Sequence, residues 1–288
     1  MSIFVDEKNT VVVQGATGHQ GVFHIGEMLR FGTKVVSGVT PGKAGENVHG
    51  IPILNSVKEA VDKTNANTSL ILVPARFAKD AVYEALDTGI KTIVVITENI
   101  PFHDAMDFVH YAKYNQAVLI GPNCPGIASP GKTKIGILPG SIFLKGNIGV
   151  ASRSGTLTYE IVNSLSERGI GQSTCVGLGG DPIIGTTFID ALDAFEKDKV
   201  TKAIVLVGEI GGTAEEDAAE YIMNNIHKPV FAFIAGRTAP PGKRMGHAGA
   251  IITRGKGTAE SKIKAFEKAD VKLARFPTEI ADLVEKYG

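Results

Sequence analysis

The stretch Gly242-Lys243-Arg244-Met245-Gly246-His247-Ala248-Gly249-Ala250 packs one imidazole among the smallest side chains and sets two cations before it. An imidazole titrates near neutrality, so much of it is uncharged at pH 7 and one ring nitrogen can act as a nucleophile. A phosphoryl group on that nitrogen needs room, which Gly246, Ala248 and Gly249 leave. It also needs positive potential. Ser152-Arg153-Ser154-Gly155-Thr156 follows an apolar run and precedes a helical pattern. The N–H groups and hydroxyls of Ser154, Gly155 and Thr156 at such a helix start make an anion site. The turn at Asn123 and Cys124 is a second candidate, and Lys243 and Arg244 are candidate cations. Glu209 closes the apolar run ending Val207-Gly208-Glu209. A carboxylate there can accept the other ring N–H and fix the tautomer. A glycine-rich turn, a plain helix cap and a turn residue are the structural alternatives for His247, Ser154 and Glu209.

A second constellation lies near the start of the chain. Gly15-Ala16-Thr17-Gly18-His19-Gln20-Gly21 is a G-x-x-G-x-x-G loop between an apolar run and a helical pattern. Glycines at that spacing let backbone N–H groups approach a pyrophosphate at a helix N-terminus. An NAD site wants Asp or Glu at the end of the second strand. Here Thr40-Pro41-Gly42-Lys43 stands instead, and a cation suits a ribose with an extra phosphate, as in NADP or coenzyme A. Ile96-Thr97-Glu98 ends a later run and is placed either to touch the same ligand or simply to turn. Gly126-Ile127-Ala128-Ser129-Pro130-Gly131-Lys132-Thr133 matches the P-loop spelling, but Pro125 and Pro130 interrupt the approach, and Gly136, Pro139 and Gly140 deny the helix that a P-loop opens into. The seven histidines show no H-E-x-x-H and no Cys pair beside a His, so no metal site is expected.

These residues need elements to hold them. Apolar, β-branched runs at 10–14, 34–39, 69–73, 92–97 and 117–120 alternate with helical patterns at 21–31, 56–63, 77–86 and 102–114. The second half repeats the scheme, with runs at 148–151, 174–178, 203–207, 230–234 and 271–274. Its helical patterns are at 156–168, 187–196, 214–226, 259–269 and 278–287. Alternation with wholly apolar strands predicts an α/β fold of parallel sheets with helices on both faces. Ligands then bind beyond the carboxyl ends of the strands. Residues 1–122 and 147–288 form two expected domains, joined by a Gly/Pro-rich connection at 123–146.

The bulk numbers agree. A length of 288 residues suits about two domains. Net charge is zero, which argues against nucleic acid or an anionic membrane as partner. Two cysteines, Cys124 and Cys175, make no disulfide framework, and a reducing compartment follows. The opening MSIFVDEKNT has no targeting pattern and no apolar run reaches membrane-spanning length, so a cytoplasmic protein is expected.

GATGHQG, VTPGK, ITENIP, GPNCPG, SRSGTLTYE, GGDPIIGTTFIDAL, GEIGGTAEEDAA and GKRMGHAGAI resemble, in order and spacing, the α subunits of succinyl-CoA synthetase (succinate–CoA ligase). The resemblance covers essentially the whole chain. It implies an N-terminal Rossmann-like CoA-binding domain and a C-terminal flavodoxin-like domain. It also implies a β subunit with an ATP-grasp site that holds ATP or GTP with Mg²⁺. The implied reaction interconverts succinate, CoA and nucleoside triphosphate with succinyl-CoA, nucleoside diphosphate and phosphate. By the same resemblance His247 is transiently phosphorylated and Glu209 orients it. Thr17, Gly18, His19, Gln20, Lys43, Ile96, Thr97 and Glu98 match CoA-contacting positions. Ser154, Gly155 and Thr156 match the helix start that receives the phosphoryl group, and Tyr159 a substrate-associated position. His19 replaces a serine common in the glycine loop, Arg76 a proline and Asn99 a glycine. A ligase of the same architecture for another dicarboxylate such as malate, or a non-catalytic CoA- or NADP-binding regulatory module, are the alternative readings.

Overall fold

The computed structural model describes residues 2–240, 242–252 and 257–288. Pro241, in the glycine- and proline-rich loop before His247, and residues 253–256 lie outside the described residues. The chain divides into two compact units. The N-terminal unit is Phe4–Gly140 with Ile183–Gly185; the C-terminal unit holds Ser141–Pro182 and Thr186–Gly288 and also takes in Ser2 and Ile3.

In the N-terminal unit the order is β1 (Thr10–Gln14), α1 (His19–Phe31), β2 (Lys34–Val39), β3 (Asn47–Val48), β4 (Ile51–Leu54), α2 (Val57–Thr64), β5 (Thr68–Ile71), α3 (Ala75–Asp87), β6 (Thr92–Val95), α4 (Phe102–Tyr114) and β7 (Val118–Ile120). The strands lie in the order β3-β4-β2-β1-β5-β6-β7. All pairs are parallel except β3 with β4. The strand order reverses on either side of β1, which opens a crevice beyond its carboxyl end. Val12, Ile71, Ile93 and Val95 pack with Ala78, Val82 and Phe108 of the helices into one buried cluster.

The helix α1 begins at His19, two residues before its expected start, so His19 and Gln20 stand in its first turn. The stretch expected as a connection carries β8 (Gly126–Ser129) and β9 (Thr133–Gly136), paired antiparallel. Their turn closes on the Lys132 N–H to Ser129 carbonyl bond of 3.0 Å. The P-loop spelling therefore folds as a hairpin and offers no helix N-terminus, as Pro130 and the glycines require. The β3–β4 pair lies outside the predicted runs, because Gly50 and Pro52 read locally as turn residues.

The C-terminal unit runs β10 (Lys145–Ser152), α5 (Gly155–Glu167), β11 (Gln172–Gly177), α6 (Phe188–Lys197), β12 (Ala203–Glu209), α7 (Ala214–Asn225), β13 (Val230–Ala235), α8 (Ala259–Lys268), β14 (Lys272–Ala274) and α9 (Glu279–Tyr287). Its five strands lie parallel in the order β14-β13-β12-β10-β11. Renumbered within the unit this is 2-1-3-4-5, the flavodoxin-like order, whose switch point falls between β10 and β12. Every residue of β11 and β12 is buried, so both faces of this sheet are covered. Among the described residues no helix is long and apolar enough to cross a membrane.

Helix α6 shows how local sequence fixes an element's start. The Thr187 hydroxyl accepts the Asp190 N–H, and the Asp190 carboxylate accepts the Thr187 N–H at 2.8 Å. This reciprocal cap holds the helix at the angle that buries Phe188, Leu192 and Phe195. Thr187→Ala should lower the stability of the C-terminal unit by about 1 kcal/mol. The urea midpoint should fall with an unchanged denaturant slope.

Candidate active site

Register brings the C-terminal unit's chemistry to one edge. Ser152 of β10 pairs with Gly177 of β11 and Val207 of β12, and Glu209 of β12 pairs with Ala235 of β13. All four strands therefore end together, at the switch point where ligands bind in such sheets. Glu209 is the last residue of its strand and is buried. Arg153 and Ser154 form the turn from β10 into α5.

His247 lies in the irregular segment after β13. The segment folds on itself: Met245 N–H donates to the Ala250 carbonyl at 2.9 Å and Ala250 N–H to the His247 carbonyl at 3.1 Å. Gly249 N–H reaches across to the Gly180 carbonyl at 3.0 Å. Arg244 donates from Nε to the His247 carbonyl at 3.3 Å, so this cation supports the loop backbone rather than the ring. Lys243 is exposed. The ring itself lies against Gly180, where a Cβ would stand 2.3 Å from His247 Cγ. Only glycine at 180 lets the imidazole reach its partner.

That partner is Glu209. His247 Nδ1 lies 2.8 Å from Glu209 Oε2. A carboxylate accepts only, so Nδ1 carries the proton and Nε2 holds the in-plane lone pair. The Glu209 hydrogen bond raises the pKa of His247 above its ordinary 6.5. Burial opposes this, the Glu209 charge adds to it, Arg153 lowers it and Asp181 raises it. The second Glu209 oxygen, Oε1, is buried and makes no hydrogen bond, yet Arg153 Nη2 is 3.4 Å away. It is an ion pair at the limit of hydrogen-bonding distance, with charge contact but poor direction.

At the start of α5 the Ser154 hydroxyl accepts the Leu157 N–H at 3.3 Å, which makes Ser154 the N-cap. Gly155 and Thr156 open the helix, where N–H groups lack intrahelical partners. Ser154 thus serves as the cap of α5, with the N–H groups of the first helical turn beside it. Tyr159 is half-buried in the next turn. The Asn123–Cys124 turn belongs to the N-terminal unit, where the Cys124 thiol donates to the Val95 carbonyl at 3.3 Å.

The other predicted residues gather at the matching edge of the N-terminal unit. Gln14, Val39, Ile71 and Val95 end neighbouring strands in register. Gly15 N–H donates to the Val39 carbonyl at 2.9 Å and the Thr17 hydroxyl to Thr40 Oγ1 at 3.2 Å, joining the glycine loop to the turn that carries Lys43. A Cβ on Gly21 would lie 2.3 Å from the Gly15 carbonyl, so the tight turn requires glycine there. Gly18 caps α1 without a side chain, and Gly18, His19 and Gln20 are exposed. Thr97 donates from its hydroxyl to the Val73 carbonyl at 2.7 Å; Ile96 is half-buried and Glu98 exposed. Lys43 Nζ pairs with Glu46 at 2.8 Å on the surface, so a phosphate would have to compete for it.

Several contributors were not singled out in the sequence. Arg153 sat inside the SRSGT motif, but nothing local shows where its side chain goes. Gly180 is 67 positions from His247 and carries no signal of that contact. His24 was hidden within a helical pattern. It is buried, and burial first and the Lys134 charge second pull its pKa down to about 4. The neutral ring's Nε2–H donates to Gln20 Oε1 at 3.2 Å.

Titration of the His247 ring followed by NMR should give a midpoint above 6.5. Glu209→Gln should lower it, because the leading upward contribution is the bond to this carboxylate.

Two families match the chain: a CoA binding domain over residues 6–99 and a CoA-ligase over residues 151–272. The ADP-forming succinate–CoA ligase subunit alpha 2 of Archaeoglobus fulgidus is 61% identical over 284 residues, covering 99% of both chains. The corresponding alpha subunit of Aquifex aeolicus is 57% identical, covering 99% of this chain and 94% of its own. Among solved structures, the Methanosaeta concilii ATP citrate lyase D541A mutant with (3S)-citryl-CoA superposes with a TM-score of 0.90 at 25% identity. The match covers 99% of this chain and 50% of the lyase, so this chain spans about half the lyase's length. With two family domains in order and majority identity along almost its full length, the chain belongs to the succinate–CoA ligase α-subunit family.

Proposed function

We propose that this chain works as the α subunit of an ADP-forming succinate–CoA ligase through a phosphorylated His247. The 2.8 Å bond between His247 Nδ1 and Glu209 Oε2 carries the reading. It holds the ring in one tautomer and leaves Nε2 as the nucleophile. When Nε2 attacks the terminal phosphorus of ATP, the β–γ oxygen–phosphorus bond breaks, ADP leaves and the ring gains positive charge. The Glu209 carboxylate stabilises that charge. A succinate carboxylate then takes the phosphoryl group and the N–P bond breaks, returning the electron pair to Nε2. The CoA thiol attacks the acyl carbon, the C–O bond breaks, and phosphate leaves carrying the thiol proton. Each transfer is mainly positioning and charge stabilisation, which suits glycines and helix N-termini.

The N-terminal unit supplies CoA: Thr17, Gly18, His19 and Gln20 for the pyrophosphate, Lys43 for the extra ribose phosphate, and Ile96, Thr97 and Glu98 along the neighbouring edge. Ser154, Gly155 and Thr156 receive the phosphoryl group and Tyr159 lies with the acid. A β subunit with an ATP-grasp domain is the proposed holder of ATP and Mg²⁺, whose charge offsets that of the phosphates. Cys124 and Cys175 are buried thiols, which fits a cytoplasmic location.

Incubation of the reconstituted αβ complex with labelled MgATP should give an acid-labile, base-stable phosphoprotein. His247→Ala should abolish both label and turnover; a labelled, active variant would move the nucleophile elsewhere. Glu209→Gln should slow single-turnover labelling about a hundredfold. A screen of succinate against malate tests the acid.

Lys43 has its own test by calorimetry. Lys43→Ala should weaken CoA binding about tenfold, the size of one charge-assisted contact. Binding of 3′-dephospho-CoA should not change. Equal weakening of both ligands would remove Lys43 from phosphate recognition.

A further inference from the structure

Behind Glu209 lies a buried chain of charges that the reaction scheme above does not use. Arg153 Nη2 faces Glu209 Oε1 at 3.4 Å, while its Nη1 lies 3.3 Å from Glu215 Oε1 and 3.3 Å from the Gly211 carbonyl. Glu215, in the first turn of α7, is fully buried. Its Oε1 also accepts the backbone N–H of Glu209 at 3.1 Å, and its Oε2 accepts from Lys262 Nζ. Lys262 of α8 is likewise fully buried and donates to the Gly212 carbonyl at 3.0 Å and to Glu216 Oε2 at 2.9 Å. Four buried side chains from four places in the unit thus alternate in sign: Glu209, Arg153, Glu215, Lys262. Their formal charges sum to zero.

The loop that carries His247 packs directly on this chain. A Cβ on Gly249, two residues after the histidine, would stand 2.8 Å from Arg153 Nη2. The guanidinium therefore occupies the space that glycine leaves, beside the carboxylate that the imidazole uses. It also sits one residue before Ser154, the cap of α5.

We propose that Arg153, anchored on Glu215, is a positioning residue for phosphoryl transfer: it holds the Glu209 carboxylate toward His247 Nδ1 and keeps that pair from carrying surplus negative charge. The proposal rests on the reading of His247 as the phosphorylated residue. Its logic is a balance. Glu209 must be charged enough to stabilise the ring cation formed on attack. Unopposed, the same charge would keep the ring protonated, and a protonated ring has no lone pair at Nε2. Glu209 from the end of β12 and Asp181 from the loop after β11 both favour the protonated ring. Arg153 from the turn before α5 opposes them, while Arg244 touches only the loop carbonyl.

The test is the pH dependence of single-turnover labelling by MgATP in the αβ complex, with assembly checked by size exclusion. The rate should rise with pH as the ring loses its proton. In Arg153→Gln the rising limb should move up by about one pH unit, the effect of losing one nearby opposing charge. Arg153→Lys keeps the charge but loses the fork. Its limb should stay with the wild type while the plateau falls about tenfold. A Gln variant with an unmoved limb overturns the charge role, and a Lys variant with a wild-type plateau overturns the positioning role. If the Gln variant does not assemble, the Lys variant alone decides. Ring titration of His247 by NMR separates the two layers. A raised midpoint in Arg153→Gln supports the proposal independently of turnover, whereas wild-type protein that takes no label defeats the reading it rests on.

Discussion

The hydrogen bond between His247 Nδ1 and Glu209 Oε2, 2.8 Å long, is the contact around which the C-terminal unit is organised. To make it, a carboxylate must end a fully buried strand, and a buried carboxylate is costly unless other groups compensate its charge. The compensation comes from distant sequence: Arg153 from the turn before α5, then Glu215 and Lys262 from α7 and α8. A histidine must also be brought to that carboxylate from a loop without regular structure. Gly180 clears its path, and the Gly249–Gly180 backbone bond fixes the loop at that height.

The sheet explains why these groups can meet. In a parallel sheet every strand ends on the same side, so the residues after β10, β11, β12 and β13 share one edge by construction. At the switch point between β10 and β12 the connections diverge to opposite faces and leave a crevice. Arg153 and Glu209 stand on its two sides. The helix α5 starts there too, so the positive end of a helix dipole lies at the same edge.

The N-terminal unit uses the same geometry for a different task. Its glycine loop follows the central strand β1 and runs into α1, and its neighbours Thr40 and Thr97 are tied back by side-chain bonds. Among the described residues, this edge carries no buried ion chain like that behind Glu209. Its charged candidates, Lys43 and Glu98, are exposed, and its fixed polarity is backbone. Holding a cofactor-sized ligand needs shape and N–H groups, whereas the phosphoryl transfer proposed for His247 needs a tuned nucleophile.

The sequence by itself determined most of the elements and singled out the candidate residues. Unbroken apolar runs such as 203–207 identified buried parallel strands, because a strand covered on both faces has no polar positions. His247 among small residues and Glu209 at a strand end were legible because both signals are local. The tertiary structure alone decided what surrounds them. The partners of Arg153, 56 and 62 positions away, and the contact of Gly180 with His247 depend on strand order and register. No property of neighbouring residues encodes these. The hairpin β8–β9 and the short β3–β4 pair escaped because Gly126, Pro130, Gly131 and Gly136, and Gly50 and Pro52, read locally as turn residues. Local chemistry is written residue by residue; the balance of charge at a buried site is a sum over elements that only folding brings within a few ångströms.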